Sequence, residues 1–241
     1  MANNIKEIKP NPLITSTVEI RFISDLKEEE VLGVFFKIYG EQFPNITHRG
    51  IPKELKQFQP ELEFLTDYIL SNDDFSISIS NKSIAFENIG EYKLWPSYFQ
   101  TIKECLMLLN SLGVIRSITR IGMRYISLFD VIVPIKESLN LNFVISYNNY
   151  QQDSEHFKLR LNKGDISIFL QVSQNAKGIK TKTKIEKNGL HLDIDASQIH
   201  NLPQTISDEL FDNINALHTE EKSLFEFLIL DSFLKKLEVK Y

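Results

Sequence analysis

The sequence predicts an α+β fold in which antiparallel sheets pack with helices and a long helix lies near the C-terminus. Short runs of alternating apolar and polar residues, which are typical of half-buried strands, recur along the chain. A few longer segments carry apolar residues at helical spacing. The strands come in succession and do not alternate strictly with helices, an order that favours α+β over a parallel α/β sheet.

An arm, a strand and a helix are predicted first. Residues 1–14 form a loose arm, because two prolines there oppose regular structure. Residues 17–23 alternate cleanly and predict a half-buried strand. Asp25, with Glu28 three residues later, predicts the N-terminal cap of a helix. Residues 45–60 are expected to be irregular.

A hairpin and a second helix follow. Residues 75–79 and 83–87 alternate around a short polar turn and predict a β-hairpin. Ser97 and Gln100 predict the capping box of a helix that ends at Gly113, a residue suited to the left-handed conformation. The predicted buried face of this helix consists of Tyr98, Ile102, Cys105, Leu109 and Leu112.

Strands dominate the second half of the chain. Residues 116–129 predict a long strand. Asn188-Gly189, between two alternating segments, predicts a tight hairpin. Ser207 predicts the cap of the last helix, whose apolar stripe extends to Leu237. The remaining alternating segments are residues 141–147, 157–161 and 166–172.

This order of elements is compatible with two arrangements. The first consists of two closely packed lobes, residues 15–133 and residues 134–241. The second is one continuous antiparallel sheet backed by helices. We take the two-lobe arrangement as the prediction and keep the single domain as its alternative.

Composition excludes several classes of function. The 241 residues carry a net charge of −5, which argues against a generally basic nucleic-acid coat. The single cysteine, Cys105, allows neither an intrachain disulfide nor a multi-cysteine metal site. Since no apolar segment has the length of a leader or a membrane span, we expect a cytoplasmic protein. Abundant Asn, Ile and Lys suggest an AT-rich bacterial genome.

Familiar catalytic and cofactor motifs are missing. The sequence contains no P-loop, no GxGxxG, no GxSxG and no HExxH. We therefore expect no cofactor, and the missing motifs favour a protein without catalytic activity. A hydrolase with an unfamiliar site stays open as an alternative.

Two arginines on the strand of residues 116–129 are the first candidate site. Arg120 and Arg124 lie on one face, ~13 Å apart at ~3.3 Å per residue, with Gly122 between them. Arginine binds phosphate and carboxylate groups through two parallel hydrogen bonds, and the glycine leaves room for a close approach. The face is therefore predicted to bind a ligand or partner. The alternative is that each guanidinium pairs with an internal carboxylate.

The aromatic residues Tyr92, Trp95 and Tyr98 form the second candidate, a platform for a base or a protein partner. Their alternative role is to join the hairpin to the following helix. Asp193 and Asp195 share a strand face with His191 and are weak candidates for a divalent metal or for acid–base chemistry. A polar outer strand face has the same pattern.

The only sustained basic run contains the possible phosphate contacts Lys180, Lys182 and Lys184, which alternate along one strand face. Protection of an edge strand against aggregation explains the same spacing. His218 in the last helix is predicted to be a capping or packing residue.

Five segments resemble an uncharacterised, sporadically distributed bacterial protein family. They are residues 11–22 (NPLITSTVEIRF), 91–96 (EYKLWP), 120–126 (RIGMRYI), 192–195 (LDID) and 217–225 (LHTEEKSLF). The resemblance carries no established reaction. It implies an accessory-gene context such as phage defence or a toxin–antitoxin module.

Three functions follow, in order of preference. The first is a non-catalytic binding or regulatory protein of a bacterial accessory system that recognises another protein. The second is a nucleic-acid- or nucleotide-binding protein that uses the arginine-lined strand face. The third is a metal-dependent hydrolase around Asp193 and Asp195. The sequence leaves the partner and the oligomeric state open.

Overall fold

A computed structural model of the protein describes most of the chain. The described residues are 5–50, 55, 58–59, 62–66, 68–141, 156–180, 185–203 and 205–240, with backbone alone for 179–180 and 185–187. Most of the strand predicted over residues 141–147 lies outside them. So do Lys182 and Lys184, together with the side chain of Lys180.

Strands and helices are mixed along the described chain. The strands are β1 Glu7–Lys9, β2 Leu13–Ile23, β3 Asn45–His48, β4 Tyr68–Ser71, β5 Phe75–Ile79, β6 Ser83–Asn88, β7 Ser117–Phe129, β8 His156–Lys163, β9 Ile166–Lys180, β10 Ile185–Gln198 and β11 Glu238–Lys240. The helices are α1 Glu28–Tyr39, α2 Trp95–Ser111, α3 Ile135–Ser138, α4 Asp208–Leu228 and α5 Asp231–Leu234.

Nine strands form an antiparallel sheet in the order β3-β4-β5-β6-β2-β7-β10-β9-β8. Strands β1 and β11 form a separate antiparallel pair, in which Ile8 lies opposite Val239. This mixture of antiparallel strands and helices confirms the α+β prediction.

The chain divides into two compact units. We call the first the terminal unit, which comprises Met1–Thr15, Arg124–Ala196 and Leu217–Tyr241. We call the second the central unit, which comprises Ser16–Met123 and Ser197–Ala216. The division into lobes at residues 133–134 stays a prediction.

In the central unit, α2 is anchored to β2 and β6. Tyr98 of α2 is fully buried, and its hydroxyl donates to the carbonyl oxygen of Phe86 at 2.6 Å. The same hydroxyl lies 3.2 Å from the carbonyl oxygen of Ser16. A buried hydroxyl needs such a partner because its transfer out of water without a hydrogen bond costs free energy. Tyr98 therefore fixes the helix against the sheet by packing and by hydrogen bonding.

In the terminal unit, one sheet face is apolar. Phe129 of β7 packs against Phe225 of α4 and Phe233 of α5, with ring centroids 6.4 and 5.3 Å apart. The buried residues of β9 and β10 on the same side alternate with polar ones, as expected for a half-buried sheet. They are Ile168, Leu170, Val172, Leu190, Leu192, Ile194 and Ala196. The opposite face of these strands is polar.

The cap predicted for α1 is wrong. The helix begins at Glu28 after Lys27, and the Glu30 carboxylate accepts the backbone N–H of Lys27 at 2.7 Å. Asp25 instead binds Arg116 at 3.0 Å. A carboxylate near a helix start can accept a backbone N–H of the helix or pair with a nearby cation, and Asp25 pairs with the cation.

The cap predicted for α2 is also wrong. Helix α2 begins at Trp95 because Pro96 occupies the first turn, where a fixed φ and a missing N–H are tolerated. Ser97 and Gln100 therefore lie inside the helix. At the other end Gly113 has φ +68°, which confirms its left-handed role. Leu112, expected in the buried stripe, is 42% exposed.

Two segments expected to be irregular form strands. The arm predicted over residues 1–14 contains β1, which pairs with β11, and the first residues of β2. The segment after α1 contains β3, which pairs with β4. Short strands at a sheet margin carry weak sequence signals because little of their surface is buried.

The hairpin predicted at Asn188-Gly189 is wrong. Both residues lie inside β10, where Gly189 is buried. A Cβ atom at Gly189 would overlap the carbonyl oxygen of Phe129 and lie 2.7 Å from the backbone nitrogen of Val131. The glycine therefore permits a close backbone approach instead of a turn.

The last helix is shorter than its predicted stripe. Ser207 caps α4 as predicted, since its hydroxyl accepts the backbone N–H of Leu210 at 3.4 Å. The helix ends at Leu228, and Leu237 lies beyond α5 outside any helix.

Candidate functional site

Arg124 lies on the polar face of the terminal unit. It lies on β7, and its Nε and Nη2 atoms donate to the two carboxylate oxygens of Asp193 on β10, at 2.9 and 2.7 Å. The Asp193 side chain is only 4% exposed, whereas the Arg124 side chain is 51% exposed. Hydrogen bonding to Asp193 raises the pKa of Arg124, with a further contribution from Asp195. The guanidinium is thus fixed in orientation and still faces solvent.

Arg120 is paired differently, within the central unit. Its Nη1 atom donates to the Glu19 carboxylate on β2, which also accepts Nε of Arg21 at 2.9 Å. A Cβ atom at Gly122 would lie 2.7 Å from Cζ of Arg120. The space above Gly122 is therefore filled by the guanidinium of Arg120. The prediction that this glycine leaves room for an external ligand is wrong.

Both arginines thus have internal carboxylate partners, which is the alternative that the sequence left open. They differ in accessibility, because the side chain of Arg120 is 17% exposed. Arg124 keeps an Nη1 group that has no hydrogen bond within the part of the chain that the structure describes. Of the two, Arg124 is the better placed to meet a partner.

Two histidines extend the polar face beyond Arg124. His191 lies two residues before Asp193 on β10 and is half-buried. Burial lowers the pKa of His191, and the charges of Arg124 and His156 add to this effect while Asp193 opposes it. His156 on β8 forms a 2.6 Å hydrogen bond through Nδ1 with the hydroxyl of Ser173 on β9. The sequence singled out neither His156 nor Ser173, since their contact depends on strand register.

The acidic pair does not supply a metal site in the described residues. Both oxygens of Asp193 accept hydrogen bonds from Arg124. No group of three or more His, Cys, Asp or Glu side chains that could hold a metal ion occurs among the described residues.

The aromatic cluster has a structural role. Tyr98 is buried and cannot stack on an external base. Trp95 is half-buried, donates through Nε1 to Oδ1 of Asn215 at 2.9 Å and stacks on Phe99 with ring centroids 5.2 Å apart. Tyr92 is half-buried and has an interaction partner in the structure. These contacts match the alternative prediction that the cluster joins elements of the fold.

Helix α4 carries two ionisable groups on the side of the apolar sheet face, the half-buried His218 and the buried Glu221. His218 Nδ1 lies 3.3 Å from the hydroxyl of Tyr125, and burial lowers the pKa of His218 to about 4, with Lys222 adding to the shift. Glu221, one turn along, is 4% exposed, and burial alone raises its pKa to about 8. The packing role predicted for His218 agrees with this position. The sequence places Glu221 within one helical turn of His218 but does not predict its burial, because charged residues flank it on both sides.

No helix in the described part of the chain has the length and apolar character needed to cross a membrane. The sequence matches no protein-family model and no curated protein.

Proposed function

We propose that the protein is a non-catalytic recognition protein that binds another protein through the polar face around Arg124. The accessory-system context, such as phage defence or a toxin–antitoxin module, belongs to the same proposal and is supported by the family resemblance alone.

The geometry of Arg124 carries the proposal. Asp193 holds two guanidinium donors, so that the side chain loses little freedom when a partner binds. The 51% exposed side chain leaves the rest of the planar fork accessible. Arginine is enriched at protein interfaces and at the residues that contribute most to binding. A fixed, half-exposed arginine is therefore well suited to receive a partner's carboxylate or carbonyl oxygen.

Charge favours a protein partner over nucleic acid. Asp193 offsets the charge of Arg124, and Asp195 acts on the same guanidinium as a second acidic group. A phosphodiester chain gains affinity chiefly by neutralising its charge with unpaired lysine and arginine. The net charge of −5 adds to the repulsion. A protein surface can present both signs of charge to this face, and a nucleic acid cannot.

Native mass spectrometry of the protein purified gently from its own host tests the proposal. We expect a polypeptide bound at fixed stoichiometry to the wild type and lost from Arg124→Glu. Arg116→Glu is the matched control, because Arg116 is an exposed, ion-paired arginine of the central unit. Circular dichroism of both variants must match the wild type.

Three outcomes would contradict the proposal. A polypeptide retained by Arg124→Glu would remove this face from the interface. A co-purifying nucleotide or oligonucleotide would favour nucleic-acid binding, and its loss in high salt would support that interpretation. A wild-type protein that carries no polypeptide under any host growth condition, including phage infection, would overturn protein recognition itself.

A further inference from the structure

Strand β8 of the terminal unit carries a row of exposed basic side chains on the polar face. In the antiparallel pairing with β9, His156 lies opposite Ser173, Lys158 opposite Gln171 and Arg160 opposite Phe169. The two intervening residues, Phe157 and Leu159, pair with the buried residues Val172 and Leu170. His156, Lys158 and Arg160 are all exposed. We call these three residues the β8 row.

Among the described residues, Lys158 and Arg160 of the β8 row have no carboxylate partner. Its cross-strand neighbours on β9 are uncharged. Neither Lys158 nor Arg160 forms a hydrogen bond or ion pair through its side chain with any residue that the structure describes. The other arginines each have a polar partner. Arg21 and Arg120 bind Glu19, Arg49 binds the carbonyl oxygen of Thr66, Arg116 binds Asp25 and Arg124 binds Asp193.

The spacing of the row fits an extended polypeptide. Alternate residues of a strand are ~6.8 Å apart. The side chains on one face of a second extended chain have the same spacing, so they can lie opposite the β8 row. Phe169, 36% exposed beside Arg160, offers an apolar contact on the same face. A carboxylate opposite Arg160 can accept two parallel hydrogen bonds from the guanidinium.

We infer that the β8 row docks an acidic, extended segment of a protein partner, with Asp or Glu at alternate positions. This inference rests on the proposed function and names the chemistry of the partner. Single-stranded nucleic acid is the competing anionic ligand, and the experiment below distinguishes it from a peptide.

Fluorescence anisotropy with a labelled ten-residue peptide of alternating Glu and Thr tests the inference. We expect salt-sensitive binding that weakens at least several-fold between 50 and 300 mM NaCl, because the contacts are exposed ion pairs. Lys158→Ala/Arg160→Ala should weaken binding at least tenfold. Lys235→Ala/Lys236→Ala removes the same charge from two exposed lysines after α5 and should change binding less than twofold. Arg160→Lys should retain part of the affinity.

Each arm of the experiment can overturn the inference. Equal binding of a peptide with Gln in place of Glu would exclude charge recognition. Equal loss in both double variants would show an unspecific response to net charge. A ten-residue oligothymidylate that binds more tightly than the peptide and requires Lys158 and Arg160 would assign the row to nucleic acid.

The host complex separates this inference from the proposed function. A native complex that depends on Arg124 but is unchanged in Lys158→Ala/Arg160→Ala would overturn the docking row and leave protein recognition intact. A wild type without any protein partner would overturn the proposed function itself.

Discussion

Replacing Glu221 by glutamine should stabilise the protein at neutral pH. The carboxyl is 4% exposed and the structure gives it no hydrogen bond or ion pair among the described residues, so burial disfavours its charged form. Its pKa rises from 4.5 to about 8 on folding. The folded protein therefore holds a proton that the unfolded chain releases at pH 7. Glutamine resembles the protonated acid and has no proton to lose.

The size of the effect follows from proton linkage. At ~1.36 kcal/mol per pKa unit, holding this proton at pH 7 costs about 3 kcal/mol of folding free energy. Because the folded pKa is raised, wild-type stability is fully present below about pH 4.5 and is lost as the pH rises towards about 8. The variant should therefore equal the wild type at acidic pH and exceed it by about 3 kcal/mol at pH 7. For a chain of this size that corresponds to roughly 6–12 °C in Tm.

Urea unfolding followed by circular dichroism between pH 4.5 and 8 measures this difference. The difference between variant and wild type at each pH removes the contribution of every other titrating group. Glu220→Gln is the matched control, because this neighbouring, partly exposed carboxylate pairs with Lys163 and should change stability by less than about 1 kcal/mol. A Glu221→Gln variant that is less stable than the wild type at pH 7 would refute the reasoning, since it would mean that Glu221 is ionised and paired.

Three further predictions concern buried or half-buried groups. His218→Gln should remove a loss of stability that the wild type shows as the pH falls from 6.5 towards about 4, because burial lowers the pKa of His218; acid unfolding midpoints measure it, and equal midpoints would contradict it. Gly189→Ala should cost about 1–3 kcal/mol or more in denaturant unfolding, since the new methyl group meets the backbone of Phe129, and a cost below about 1 kcal/mol would mean that the strands separate easily. Tyr98→Phe should cost about 1–3 kcal/mol by leaving the buried Phe86 carbonyl without its hydroxyl donor, and an unchanged urea midpoint would show that the bond contributes little.

Strand positions were predictable because burial on one face imposes a period of two residues. The alternation around Ile121, Met123 and Tyr125 locates β7, and all three residues are buried. The β5–β6 hairpin follows from the same rule, and the buried face of α2 follows from the helical period of 3.6 residues. Such patterns can be read from a single sequence because they depend only on residues that are close together in the chain.

The starts of α1 and α2 and the extended backbone at Asn188-Gly189 were wrongly predicted because other residues override the local signal. Pro96 moves the start of α2 ahead of Ser97. Asp25 forms an ion pair with Arg116, which lies far along the chain. Gly189 allows the backbone of β10 to approach the end of β7 closely, and no neighbouring residue in the sequence indicates this contact.

The candidate site was half predictable for the same reason. Alternation placed Arg124 on one strand face, and Asp193 and His191 on another. Only the adjacency of β7 and β10 brings Arg124 and Asp193 together. Likewise, the contact of His156 with Ser173 requires the register of β8 on β9. Long-range strand order is the information that the local pattern lacks.

The most direct test of the central claim is native mass spectrometry of the wild type beside Arg124→Glu and Arg116→Glu, each purified gently from the host. Protein recognition through the polar face predicts a polypeptide at fixed stoichiometry on the wild type and on Arg116→Glu, and its loss from Arg124→Glu. The same polypeptide on all three proteins, or on none of them, would contradict the claim.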